Sequence, residues 1–148
     1  MEFGDRFLGK TTVLCKDTPA FIANRIGVFG MMAIMQVQAK MGLTVDEIDA
    51  LTGPIIGRPR SATFRTADVV GLDTLVRVAK GVAENCPNDE ARGQFDIPTW
   101  LQKMVDNNWL GDKTGQGFFK KTKSATGEKE IRTLNLQTLE YGPRTKPK

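Results

Sequence analysis

Apolar positions recur with a helical period through most of this chain, and one long apolar run dominates the pattern. From Ile26 to Met35 no side chain is polar, and Gln36, Gln38 and Lys40 follow. A helix that is apolar on all sides is buried among other elements or crosses a membrane. The run falls short of the roughly 20 apolar residues a bilayer requires. The pattern therefore predicts a buried helix over about residues 18–41 of a soluble protein. Three signals mark its start: Asp17 at the positive end of the helix dipole, Thr18 as N-cap and Pro19 at the first helical position. Gly42 ends it. Ala23, Gly27 and Gly30 form a strip of small residues along one side, suited to tight helix packing in the core or to contact with a ligand or second subunit. Met31, Met32, Met35 and Met41 read as core filling.

The remaining elements follow from shorter patterns. Residues 1–15 read as a lead-in, with Thr11 to Cys15 as a short β-branched, extended run. Thr44-Val45-Asp46-Glu47 has the form of a capping box and predicts a short helix through Leu51, closed by Gly53-Pro54. Residues 53–65 form an irregular loop whose three arginines are solvated or face an anion. Thr66 can cap a third helix, with Ala67, Val70, Leu72, Leu75, Val76, Val78, Ala79 and Val82 on its apolar face, broken at residues 85–89. Pro98 to Val105 reads as a helix with proline in its first turn. Gly111 to Gly117 is a glycine-rich turn that lacks the residue order of a phosphate loop and leads into a strand. Residues 118–121 and 130–134 predict a hairpin around Ser124–Gly127, and Gly142 to Lys148 a basic linker or free tail. The expectation is a mainly α protein in three parts: 1–15, 16–120 and 121–148.

Charge changes the picture little. The formal net charge is +4, but residues 120–148 hold eight basic and three acidic side chains, so the body is close to neutral. No nucleic-acid face is expected on such a body. Cys15 and Cys86 form no C-x-x-C pair, which fits a reducing cytoplasm without a metal site. The chain contains no histidine. That removes the commonest general base and excludes a Ser-His or Cys-His nucleophile within this chain.

Three blocks, in order, resemble one family. Lys16-Asp17-Thr18-Pro19-Ala20-Phe21-Ile22-Ala23-Asn24-Arg25 is similar to the K-D-T-P-G-F-[IV]-x-N-R opening of the helical C-terminal domain of 3-hydroxyacyl-CoA dehydrogenases. Asp68-Val69-Val70-Gly71-Leu72-Asp73-Thr74 resembles its D-x-[VI]-G-L-D-T helix, and Lys113-Thr114-Gly115-Gln116-Gly117-Phe118-Phe119 its closing K-T-G-x-G-[FY]-[FY] turn. Ala20 replaces a glycine, and Arg60-Ser61-Ala62-Thr63-Phe64 replaces the usual P-x-G-P-F, so acyl-chain preference does not transfer.

The resemblance implies a helical bundle of the 6-phosphogluconate dehydrogenase C-terminal-like type with a small C-terminal β-hairpin. It implies NAD-dependent oxidation of (3S)-3-hydroxyacyl-CoA in fatty-acid β-oxidation, with NAD and the catalytic His–Glu pair held by an N-terminal Rossmann domain that precedes residue 16. The helical part would bind acyl-CoA, form a homodimer and contribute Asn24 beside the reacting oxygen. An amide suits that task because it donates and accepts without titrating. On its own the piece would be inactive. The alternative is a non-catalytic helical dimerisation module, with the small-residue strip as its seam.

Overall fold

The computed structural model describes residues 1–123 and 127–145. Among them, six α-helices precede a three-stranded antiparallel sheet. The helices are α1 (Glu2–Arg6), α2 (Phe21–Met41), α3 (Val45–Leu51), α4 (Phe64–Val70), α5 (Leu72–Asn85) and α6 (Thr99–Asp106). Strands β1 (Phe119–Lys123), β2 (Lys129–Leu134) and β3 (Tyr141–Pro143) follow in spatial order β1-β2-β3, with Phe119 opposite Thr133 and Lys123 opposite Lys129. The hairpin is where the pattern placed it; most of its tip, residues 124–126, lies outside the described residues. No helix among the described residues is long and apolar enough to cross a membrane.

The core lies where α5 and α6 meet the C-terminal half of α2, α3, α4 and the start of β1. Met32, Met35, Phe64, Leu75, Leu101, Met104 and Phe118 are almost wholly buried there. Phe64 and Phe118 sit with ring centroids 4.5 Å apart, and Trp100 closes the cluster 5.7 Å from Phe118. Met31, Met32 and Met35 are core residues as expected, but Met41 is exposed.

The capping box forms. The Glu47 N–H donates to Thr44 Oγ1 at 3.3 Å and the Thr44 N–H to Glu47 Oε2 at 2.8 Å. Thr44→Ala is expected to cost about 1 kcal/mol in urea unfolding; a loss too small to measure would mean that α3 is held by packing alone.

Several expectations are corrected. Thr11–Cys15 is not a strand: Val13 and Leu14 are exposed, and extension without a partner strand gains no ladder. The lead-in instead begins with α1, tied back where the Thr12 N–H and hydroxyl donate to Asp5 at 2.9 Å. Thr18 does not cap α2, which starts two residues later than Pro19 would allow as its first position. Ala20 occupies the cap in a left-handed conformation (φ 65°), and Phe21 follows at φ 49°. The helix expected from Thr66 is two helices meeting at Gly71, whose φ of 96° and ψ of 127° break the α geometry. Thr66 lies inside α4, and its hydroxyl donates to the Ala62 carbonyl at 2.7 Å. The donors at the start of α4 are satisfied from α3: the Asp49 carboxylate accepts from the N–H groups of Thr63, Phe64 and Arg65 at 2.7–3.1 Å. Burial nonetheless raises the Asp49 pKa.

The tail is not free over its first residues. Gly142 and Pro143 belong to β3, and buried Asp46 accepts from Thr133 Oγ1, Arg144 Nε and the Thr145 N–H at 2.9–3.3 Å. Residues 146–148 lie outside the described residues.

Candidate functional site

The second and third motif blocks lock onto each other. The bend at Gly71 turns α4 so that Asp68, 1% exposed, faces the glycine-rich turn. Its Oδ1 accepts from the Phe118 N–H at 2.8 Å and its Oδ2 from the Phe119 N–H at 2.9 Å. A methyl group on Gly117 would lie 2.2 Å from Asp68 Oδ1, and one on Gly111 2.2 Å from the Asp68 carbonyl oxygen. Around this contact Lys113 donates to Asp73 at 2.5 Å, Arg65 holds Asp112 by two bonds of 2.7 and 2.8 Å, and the Tyr141 hydroxyl donates to the Gly117 carbonyl at 2.5 Å. Lys113 and Arg65 hold their carboxylate partners below the usual range. Burial pushes Asp68 up to about 6 against the opposing pull of its two amide donors and Arg65. This turn is bound to protein on its inner side, and its glycines permit that close approach. One of the three loop arginines, Arg65, is therefore engaged internally, and Arg58 donates to Thr63 at 3.3 Å.

The first block stands apart. α2 was expected to be buried on all sides, yet its buried residues are Met31, Met32, Met35 and Gln38 alone. Phe21, Ile22, Ile26, Val37 and Met41 are exposed and Phe29 borders on it. The reason is that the C-terminal half of α2 meets the core while the N-terminal half projects past it. Ala23 is exposed, and beyond the helix's own backbone no described residue comes within 4 Å of where a Cβ would sit on Gly27 or Gly30, so no tight helix packing uses the small-residue strip among the described residues. Asn24 sits in this projecting part, exposed and without a side-chain hydrogen bond among the described residues.

Its neighbour Arg25 is engaged. The Arg25 guanidinium donates to Asp89, which also accepts from the Ala91 N–H at 2.9 Å. Arg25 holds the Asp89 carboxyl below the ordinary value, helped by the Ala91 amide. The resemblance singled out Asn24 and its neighbour Arg25 but not Asp89, because nothing in a polar connector 64 residues away marks a partner. Residues Cys15, Lys16, Thr18, Phe21, Ile22, Arg25 and Ile26 line an open groove beside the start of the helix. The left-handed Ala20 gives the helix entry its sharp turn. It falls where the related motif carries glycine, and a non-glycine residue there costs about 1–2 kcal/mol.

A helical bundle closed by a K-T-G-Q-G-F-F turn, with an N-R pair on a projecting helix, brings all three motif blocks of the resemblance onto one fold. Residues 21–121 match the family described as "3-hydroxyacyl-CoA dehydrogenase, C-terminal domain", and the chain belongs to that family. It is 50% identical over 146 residues to the Bacillus subtilis protein described as "Probable 3-hydroxyacyl-CoA dehydrogenase", covering 99% of this chain and 18% of that protein. It is 36% identical to the human mitochondrial hydroxyacyl-coenzyme A dehydrogenase, covering 76% of this chain and 35% of that protein. Among solved structures, the (S)-3-hydroxybutyryl-CoA dehydrogenase of Ralstonia eutropha superposes with a TM-score of 0.66 at 27% identity, over 78% of this chain and 39% of that one. The chain thus spans well under half the length of these relatives.

Proposed function

We propose that this chain is the substrate-binding and dimerisation domain of an NAD-dependent (3S)-3-hydroxyacyl-CoA dehydrogenase, acting in fatty-acid β-oxidation in the cytoplasm. It works joined to an N-terminal Rossmann domain and is inactive alone. The observation that carries this reading is the N-terminal half of α2: an exposed apolar face, an open glycine strip and a free amide at Asn24 on one projecting helix. Such a surface has no partner among the described residues and suits one wall of a site completed by another domain, with the same helix face available to a second subunit. NAD does not fit the residues present. The glycine-rich turn is closed over Asp68, and the histidine of the implied His–Glu pair must come from elsewhere because the chain has none. When bound by the Rossmann domain, NAD would accept the hydride. This chain's part is to shape the acyl pocket and to present the Asn24 amide to the substrate oxygen or to the imidazole beside it.

The test is an assay with acetoacetyl-CoA and NADH. The 148-residue chain should give no turnover alone, whereas the protein that carries it with its Rossmann domain should turn over. In that longer protein Asn24→Ala is expected to lower kcat by about 100-fold with a smaller change in KM, the size seen when a positioned oxyanion donor is lost. An unchanged kcat would reduce Asn24 to a surface amide.

A further inference from the structure

The projecting half of α2 has to be aimed, and its own packing does little of it: half-buried Val28 lies against the core. No residue from Phe21 to Gly30 is buried. Three contacts hold the helix against residues 89–95 instead: Arg25 to Asp89, Phe29 to Phe95 with ring centroids 6.1 Å apart, and Gln36 Nε2 donating to the Gly93 carbonyl at 3.0 Å. At about 100° per residue, positions 25, 29 and 36 fall within roughly 40° of one line along the helix. They form a single docking stripe. Arg25–Asp89 is its outermost contact and the one next to Asn24, which points about 100° away from it. The pair is anchored at its far end, because the Asp89 side chain is 10% exposed and also accepts from Ala91 within its own loop.

We propose that Asp89 is a positioning residue for the active site: by holding Arg25 it fixes the rotation of the first two turns of α2, and thereby the direction in which Asn24 faces. This rests on the reading of Asn24 given above. Asp89 touches neither substrate nor Asn24 and acts through Arg25 alone. The inference accounts for the charged residue beside Asn24 on a helix that is otherwise apolar for two further turns. Arg25 is a tether there.

A mutant cycle in the longer protein, with its Rossmann domain, tests this. Asp89→Asn keeps an oxygen for the Ala91 N–H and places an NH2 donor where Oδ2 accepted from Arg25, which removes both the charge and the bond of the tether. Arg25→Met removes the charge from the other side and keeps the stem. Each is expected to lower kcat about tenfold, with KM for acetoacetyl-CoA changed less than about threefold, and the two together no more than either alone. In an Asn24→Ala background, Asp89→Asn should lower kcat by less than about twofold, since there is no amide left to aim. In the 148-residue chain, Asp89→Asn should speed hydrogen exchange at residues 24–27 and leave residues 32–38 unchanged. The inference is overturned if Asp89→Asn leaves kcat unchanged while Asn24→Ala lowers it, or if it lowers kcat equally with and without Asn24. If Asn24→Ala itself has no effect, the reading of Asn24 fails and takes this inference with it.

Discussion

Gly111→Ala is expected to destabilise the protein severely, whereas Gly27→Ala, the same substitution on α2, stabilises it. At Gly111 the backbone has φ 100° and ψ −147°, a region that L residues scarcely enter, and occupying it costs about 1–3 kcal/mol. The added methyl would sit 2.2 Å from the Asp68 carbonyl oxygen and 2.7 Å from its Cα. Those are backbone atoms, so relief requires α4 and the turn to separate, at a further cost of about 1–3 kcal/mol or more. Separation also breaks the amide bonds from Phe118 and Phe119 to Asp68. Set against a total stability of about 5–15 kcal/mol, that sum removes a large share of it. At Gly27 the backbone is helical and the space is open, so the methyl removes only unfolded-chain entropy and gains about 0.5–1 kcal/mol. Urea unfolding of the two variants measures both. A Gly111→Ala protein within about 1 kcal/mol of wild type would mean that the turn has room this geometry denies it. In the longer protein the gain at Gly27 should reverse if the glycine strip is a subunit seam.

That contrast explains which parts of the fold were legible beforehand. Local chemistry was readable: Thr44 with Glu47 announced α3, Gly42 the end of α2, and the 111–117 glycines a tight turn. Long-range satisfaction was not. Asp49 serves donors 14–16 residues away and Asp68 donors 50 residues away, and neither spacing leaves a periodic trace. The bend at Gly71 was hidden because Ala67, Val70, Leu72 and Leu75 keep a helical apolar spacing across it; Val70, expected on the buried face, is exposed, and Asp68 is buried instead. β3 was hidden because Tyr-Gly-Pro has the composition of a loop, and three residues on one edge need no strand pattern. The inference about α2 failed for a more instructive reason. Apolarity predicts that a surface will be covered, and the step to coverage by the same chain was an added assumption. Periodicity alone could not have set Asn24 apart from the other polar residues; only the resemblance did.

Asp68→Asn is expected to destabilise the protein at pH 4 and to be close to wild type at pH 7. Burial raises the Asp68 pKa to about 6 from an ordinary value of 3.8, so the folded state binds the proton more tightly than the unfolded chain. The stability contributed by that proton is complete below the unfolded value and is lost as pH rises through about 6. At about 1.4 kcal/mol per unit, the loss reaches about 3 kcal/mol. This runs against ordinary acid denaturation, to which carboxylates held low by partners, such as Asp73 and Asp112, contribute with the opposite sign at more acidic pH. Asparagine cannot titrate, and its NH2 group must face one of the two amide donors of Phe118 and Phe119, at a cost of about 1–3 kcal/mol. The variant carries that cost at every pH. The wild type acquires a similar one between pH 4 and pH 7, and the gap closes. Asp49, whose pKa burial also raises, is present in both proteins, so the difference between them isolates Asp68 where the raw slope does not. Asp68→Ala is the harsher case: both amides lose their acceptor inside the core, so it is expected to lie below Asp68→Asn at every pH, its own gap to wild type narrowing in parallel as pH rises. Urea titrations of the three proteins at unit steps from pH 4 to 7 decide the matter. An Asp68→Asn penalty that stays constant over that range would mean that Asp68 is already ionised at pH 4, its two amide donors outweighing its burial.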